Sequence, residues 1–151
     1  MSLTLALAAR DRIEAVAAQA ESDLGAWAAA VGAAPEVVLG YKRPTGAEGW
    51  PFVALAPGQD RRDLRSGHGT AARIDLVCGY RLPQIERGDA DGLRAVDALA
   101  EAVLAALGLP WTAAWAGRTW EARTAERTAA QYQHPLYEIE LAVEFGRYGV
   151  N

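Results

Sequence analysis

From Leu136 to Phe145 the chain reads LYEIELAVEF, with Tyr137, Ile139, Leu141, Val143 and Phe145 at every second position and Glu138, Glu140 and Glu144 between them. Successive side chains on a strand point to opposite faces, so this segment has one apolar face and one acidic face. A strand of this kind belongs to a sheet covered on one side only. The rest of the chain must therefore supply a cover for the apolar side.

Two segments have the right pattern for that cover. Leu5, Ala9, Ile13, Val16, Ala20, Leu24, Trp27 and Val31 are spaced by three or four, which predicts one helix over 3–31, ended by Gly32 and Pro35. Gly25 weakens its last turns. A second helix is predicted over 91–107, with Leu93, Val96, Leu99, Ala100, Val103, Leu104 and Leu107 on one stripe. Asp89 or Asp91 is its expected cap, and Gly108 and Pro110 its end. Strands are predicted at 36–41, at 52–56 between two prolines, and at 72–82, where Ile74, Leu76, Cys78, Tyr80 and Leu82 alternate with polar residues. Residues 57–71, rich in Gly and charge, read as a mobile loop. A fourth strand is expected near 117–127, followed by a loop to His134-Pro135, with a helix over 120–131 as the alternative because Ala, Glu and Arg favour helix. The order lacks regular strand–helix alternation. It predicts a single α+β domain over 1–151, with a mostly antiparallel or mixed sheet of about five strands and two amphipathic helices on one face.

At 151 residues, 51% hydrophobic and 23% charged, the chain has the composition of a folded domain with a real core. Net charge is −4 and the pI about 5.2, against the basic surplus of a free-standing nucleic-acid binder. The single cysteine, Cys78, excludes an intrachain disulfide and falls on an apolar strand face, where a thiol is inert. The opening MSLTLALAARD has no basic region ahead of its apolar run, as a signal peptide would, and no run reaches the ~18 apolar residues of a membrane span. The expectation is a soluble protein of a reducing cytosol.

Few segments of the chain carry residues of catalytic or ligand-binding type. Gly67-His68-Gly69-Thr70-Ala71-Ala72 fits a loose dinucleotide fingerprint but leaves a loop and enters a strand, the wrong context. His68 and His134 are the only histidines and neither has a partner at metal-ligand spacing. Ser66 lies near His68 without a nucleophile elbow. No catalytic, cofactor-binding or metal-binding residue is assigned, and the reading is that of a protein that is not an enzyme. Glu138, Glu140 and Glu144 read as a solvated face, or as an interface that meets a neighbour's arginines. Arg61, Arg62, Arg65 and His68 form a polar cluster diluted by Asp60 and Asp63, able to touch an acidic partner or DNA. Trp27 belongs to a helix stripe. Trp50, Trp111, Trp115 and Trp120 lie near element ends, in the core or at an interface.

The order and texture of these elements resemble the tail terminator proteins of long-tailed bacteriophages, typified by the minor tail protein U group. The resemblance rests on the N-terminal amphipathic helix, the Val-rich strand and Gly-Tyr-Lys-Arg turn over 37–43, and the Pro-flanked Trp50-Pro51-Phe52-Val53-Ala54-Leu55. It extends to the alternating strand 73–82, the helix 93–107 and the last strand 137–145. It implies a structural protein without cofactor that caps the tail tube as a ring, typically of six subunits, and ends its polymerisation. The implied partners are other copies of the chain (a monomer when isolated), the tail-tube protein and a head-completion or neck protein, with DNA passing through the lumen and no membrane. It implies assembly in the bacterial cytoplasm and residence in the virion tail. The interface residues expected on exposure and charge are Arg61, Arg62, Arg65, His68, Trp120, Glu138, Glu140 and Glu144. A neck or head–tail joining protein of similar build, or a small-molecule binding module, is the alternative.

Overall fold

The computed structural model describes residues 3–41, 43–44, 46, 48–58, 61–63, 69–84 and 87–147, with the backbone alone at 61–63 and 69–71. The elements run α1 (Leu3–Ala17), α2 (Asp23–Val31), β1 (Glu36–Leu39), β2 (Phe52–Pro57), β3 (Arg61–Asp63), β4 (Gly69–Arg81), α3 (Asp89–Leu107), β5 (Trp111–Trp115), β6 (Arg118–Gln133) and β7 (Leu136–Arg147). The sheet order is β1-β2-β4-β7-β6-β5, with β3 paired to β4. The expected α+β architecture is present, with more elements than expected.

The apolar face of β7 is covered as its alternation requires. Tyr137, Ile139, Leu141, Val143 and Phe145 are buried together with Leu76, Cys78, Val53 and Leu55 of the neighbouring strands. Above them lie Leu5 and Ile13 of α1 and Leu99, Val103 and Leu107 of α3. Each such side chain taken from water contributes about 1.5–3 kcal/mol, and this layer holds the domain together.

The first helix is not one piece. Residues 18–22 break it, because Ser22 caps a new helix by accepting a hydrogen bond from the Gly25 amide at 3.0 Å. Gly25 is required there: a methyl group on it would collide with the Gln19 and Ala20 carbonyls. The break lets α2 turn onto α3, where the Trp27 indole N–H donates to the Ala95 carbonyl at 2.9 Å. Gly32 and Gly108 end α2 and α3 in the left-handed conformation, as expected. The start of α3 differs: Gly88 is its cap residue and makes no side-chain cap bond, while Asp89 and Asp91 lie within the first turn.

Two expectations for the strands are corrected. The 57–71 segment is not one loop: β3 pairs with 69–71 of β4, so the described part is a hairpin arm that prolongs the β2–β4 pairing. Residues 59–60 and 64–68, which share the expectation of mobility, lie outside the described residues. The strand expected near 117–127 is present within β6, but the loop expected after it and the alternative helix over 120–131 are not: 111–133 forms a long antiparallel hairpin, and Ala116 and Gly117, both at positive φ, make its turn. β6 then continues as a strand to Gln133, because pairing with β7 outweighs its helix propensity. β1 and β2 are parallel, which makes the sheet mixed, one of the expected arrangements, so the connection between them must run back along the length of the strands.

Candidate functional site

That connection shapes the face of the sheet opposite the helices. The register aligns Glu36, Phe52, Gly79, Glu138 and Gln131 in one row across five strands on this face. The next row is Val38, Ala54, Val77, Glu140 and Ala129. A third holds Ala56, Asp75, Ala142 and Glu126, and a fourth Arg73, Glu144 and Thr124.

Tyr41, Arg43 and Trp50 of that connection lie over the first row. Tyr41 and Trp50 pack on Phe52 with ring centroids 6.0 and 4.8 Å away, and Phe52 in turn fills the space over Gly79, where any side chain would collide with its ring. Tyr41 and Arg43 cover Glu138, leaving it 2% exposed. Arg43 Nη2 and the Tyr41 hydroxyl each donate to the Glu138 carboxylate, and Arg43 also reaches Gln131 Oε1 at 3.3 Å. Burial, then the bond to Glu138, pushes the Tyr41 hydroxyl above its ordinary range, and the bond to Glu138 raises the Arg43 guanidinium. The reading of all three glutamates as a solvated face is thus corrected for Glu138: arginine of its own chain satisfies it. Alternation assigns a face and is blind to what crosses it.

Beyond this strap the face is open. Two adjoining depressions of about 230 and 120 Å³ share Val77 and Glu140; Ala129, Gln131 and Glu138 line the larger, and Arg73, Asp75 and Thr128 the smaller. The small residues of the second and third rows make a low floor. Glu140 and Glu126 are exposed on it, Glu144 is half-buried, and Asp75 is bound by Arg73 at 2.6 Å. The result is a shallow, mainly acidic groove suited to surface recognition.

A second polar cluster sits at the same end of β7, on the helix-covered face. The Tyr137 hydroxyl donates to Asp89 Oδ1 at 2.7 Å and lies 2.6 Å from His134 Nδ1. Burial and the Asp89 bond push this phenol up to about 12, so it stays protonated and acts as a donor. Gly92 of α3 packs flat on the ring, with no room for a methyl group. The cluster satisfies the one polar atom of an otherwise buried side chain and ties the start of α3 to the sheet.

The structure does not bring the expected interface residues to one place. Arg61 and Arg62 belong to β3 in the hairpin arm, with only their backbone described; Arg65 and His68 lie outside the described residues. Trp120 is withdrawn from the surface: it is 4% exposed, its indole donates to the Trp115 carbonyl at 3.0 Å, and its ring packs 5.2 Å from Trp115. Glu138, Glu140 and Glu144 do share the open face. Tyr41 and Arg43 escaped as partners of Glu138 because they lie 97 and 95 positions away along the chain, and Gln131 because its stretch reads as a loop. Among the described residues no group of three or more His, Cys, Asp or Glu is placed to hold a metal ion, and no helix is long and apolar enough to cross a membrane. Neither a family model nor a curated protein matches the sequence.

Proposed function

We propose that this chain is an assembly subunit of the tail-terminator kind, which caps a phage tail tube as a ring and presents the surface for head joining. One observation carries the reading: a sheet with helices on one side only, whose other side is an open, acidic groove. Small-molecule sites enclose about 300–1,000 Å³ and are mostly apolar. The depressions here, at about 230 and 120 Å³, are smaller and lined by carboxylates, which favours a macromolecular partner over a small ligand. Ring closure needs two different patches that meet head to tail. The acidic groove is one candidate patch, and the β3–β4 arm, whose sequence holds Arg61 and Arg62 beside Asp63, is the other.

Light scattering and negative-stain imaging of the purified chain, alone and with assembled tail tubes, test this. Rings, or density at tube ends that halts further growth, are the expected result. A monomer under all conditions, with tubes growing at the same rate, overturns it.

A further inference from the structure

The two ends of the sheet differ, and both lack a neighbour among the described residues. β5 covers β6 only over 118–122, so residues 123–133 pair with β7 on one side and with no described strand on the other. At the opposite end β1 pairs only with β2. Exposed strand edges invite further strands, and proteins blunt them with charge, proline or bulges. On β6 such devices stop early. Arg123, Glu126 and Arg127 lie before or at the second bulge, at Arg127/Ala129, and the following Thr128–Gln133 stretch has neither charge nor proline. β1 has the half-buried Val37, Val38 and Leu39 in succession, with Glu36 its one charge.

We propose that the β6 edge of one copy pairs with the β1 edge of the next, so that the sheet runs on from subunit to subunit. The choice of a second copy as occupant rests on the assembly reading above. The edges themselves support it: among the described residues β1 is unpaired on its outer side, and at the other end so are β5 and the part of β6 beyond it, of which β6 offers the longer stretch and one unlike β1. Their pairing is head to tail, which closes a ring or grows a filament. Val38 and Ala129 end the same row of the open face. Continuation of that row sets Ala129 beside Val38 of the neighbouring copy. Neither edge segment brings like charges together in this joint. β1 is short, so each joint is weak and assembly depends on concentration and on ring closure.

The test is cysteine cross-linking of the full chain. Native Cys78 is fully buried, with its thiol pushed up to about 12, and stays silent. Directly opposed residues on paired strands have Cα atoms about 4.5–5.5 Å apart, within disulfide reach. Under mild oxidation the Val38→Cys/Ala129→Cys double variant is expected to give a ladder extending beyond dimer, and each single variant none. Ala129→Lys, at an exposed position, is expected to abolish assembly while the melting temperature stays put. A dimer from Ala129→Cys alone means β6 pairs with itself and overturns the proposal. Oligomers in light scattering without a ladder overturn this joint and leave ring assembly standing. Monomers throughout, with no cross-link, overturn both.

Discussion

Glu138 and Glu140 stand two positions apart on β7 and face the same side, yet only Glu138 is covered. Arg43→Ala separates the consequences. It leaves a carboxylate that is 2% exposed with its Tyr41 bond but no cation. Removing one partner of a buried ion pair costs about 3–5 kcal/mol. Here the Arg43 side chain is 33% exposed, so water screens the pair and replaces part of the lost contact. The expected loss is therefore about 2–3 kcal/mol. In a domain of this size that lowers the melting temperature by about 4–12 °C. Because the penalty comes from the orphaned charge, Arg43→Ala/Glu138→Gln should be more stable than Arg43→Ala alone. Glu140→Ala should stay within about 0.5 kcal/mol of the parent. Urea unfolding followed by tryptophan fluorescence reads all four proteins, and Trp50 beside Phe52 reports on the strap directly. Stability of Arg43→Ala within about 0.5 kcal/mol of the parent would refute the reasoning, since that is the range of ordinary surface changes.

Gly92→Ala reverses the usual rule for helix interiors. Alanine should gain about 1 kcal/mol in propensity, but its methyl would overlap the Tyr137 ring, and a net loss of about 1–3 kcal/mol is expected in thermal or urea melts. Cys78 should resist thiol reagents in the native protein and react only after denaturation; rapid native labelling would show the sheet interior open to solvent. Stability should fall with rising alkalinity. The Tyr137 phenol ionises near 10.0 in the unfolded chain and near 12 in the fold, so its contribution is whole below pH 10 and lost by about pH 12. Tyr137→Phe should flatten that part of the pH–stability curve, and an unchanged slope would exclude Tyr137 as its source.

The architecture was legible where one element specifies it. The alternation in β7 and the stripe of α3 predicted which side chains are buried, and Gly32 and Gly108 marked helix ends because only glycine enters the left-handed region freely. The division of α1 from α2 was written in Ser22 and Gly25, but a continuous apolar stripe across 18–22 concealed it. β6 was ambiguous because its composition favours helix, and its partner β7 decides otherwise.

By itself, the chain's periodicity determined that one sheet face must be covered and that two stretches of helical pattern were available to cover it. Only the tertiary structure decided that β1 and β2 run parallel, that Tyr41 and Arg43 of the connection between them lie on the opposite face, and that Glu138 is buried beneath them while Glu140 is not. The physical reason is range. Face assignment follows from neighbours in sequence, whereas the cover over a face comes from residues such as Tyr41 and Arg43, nearly a hundred positions away, whose placement is fixed by pairing along the whole sheet.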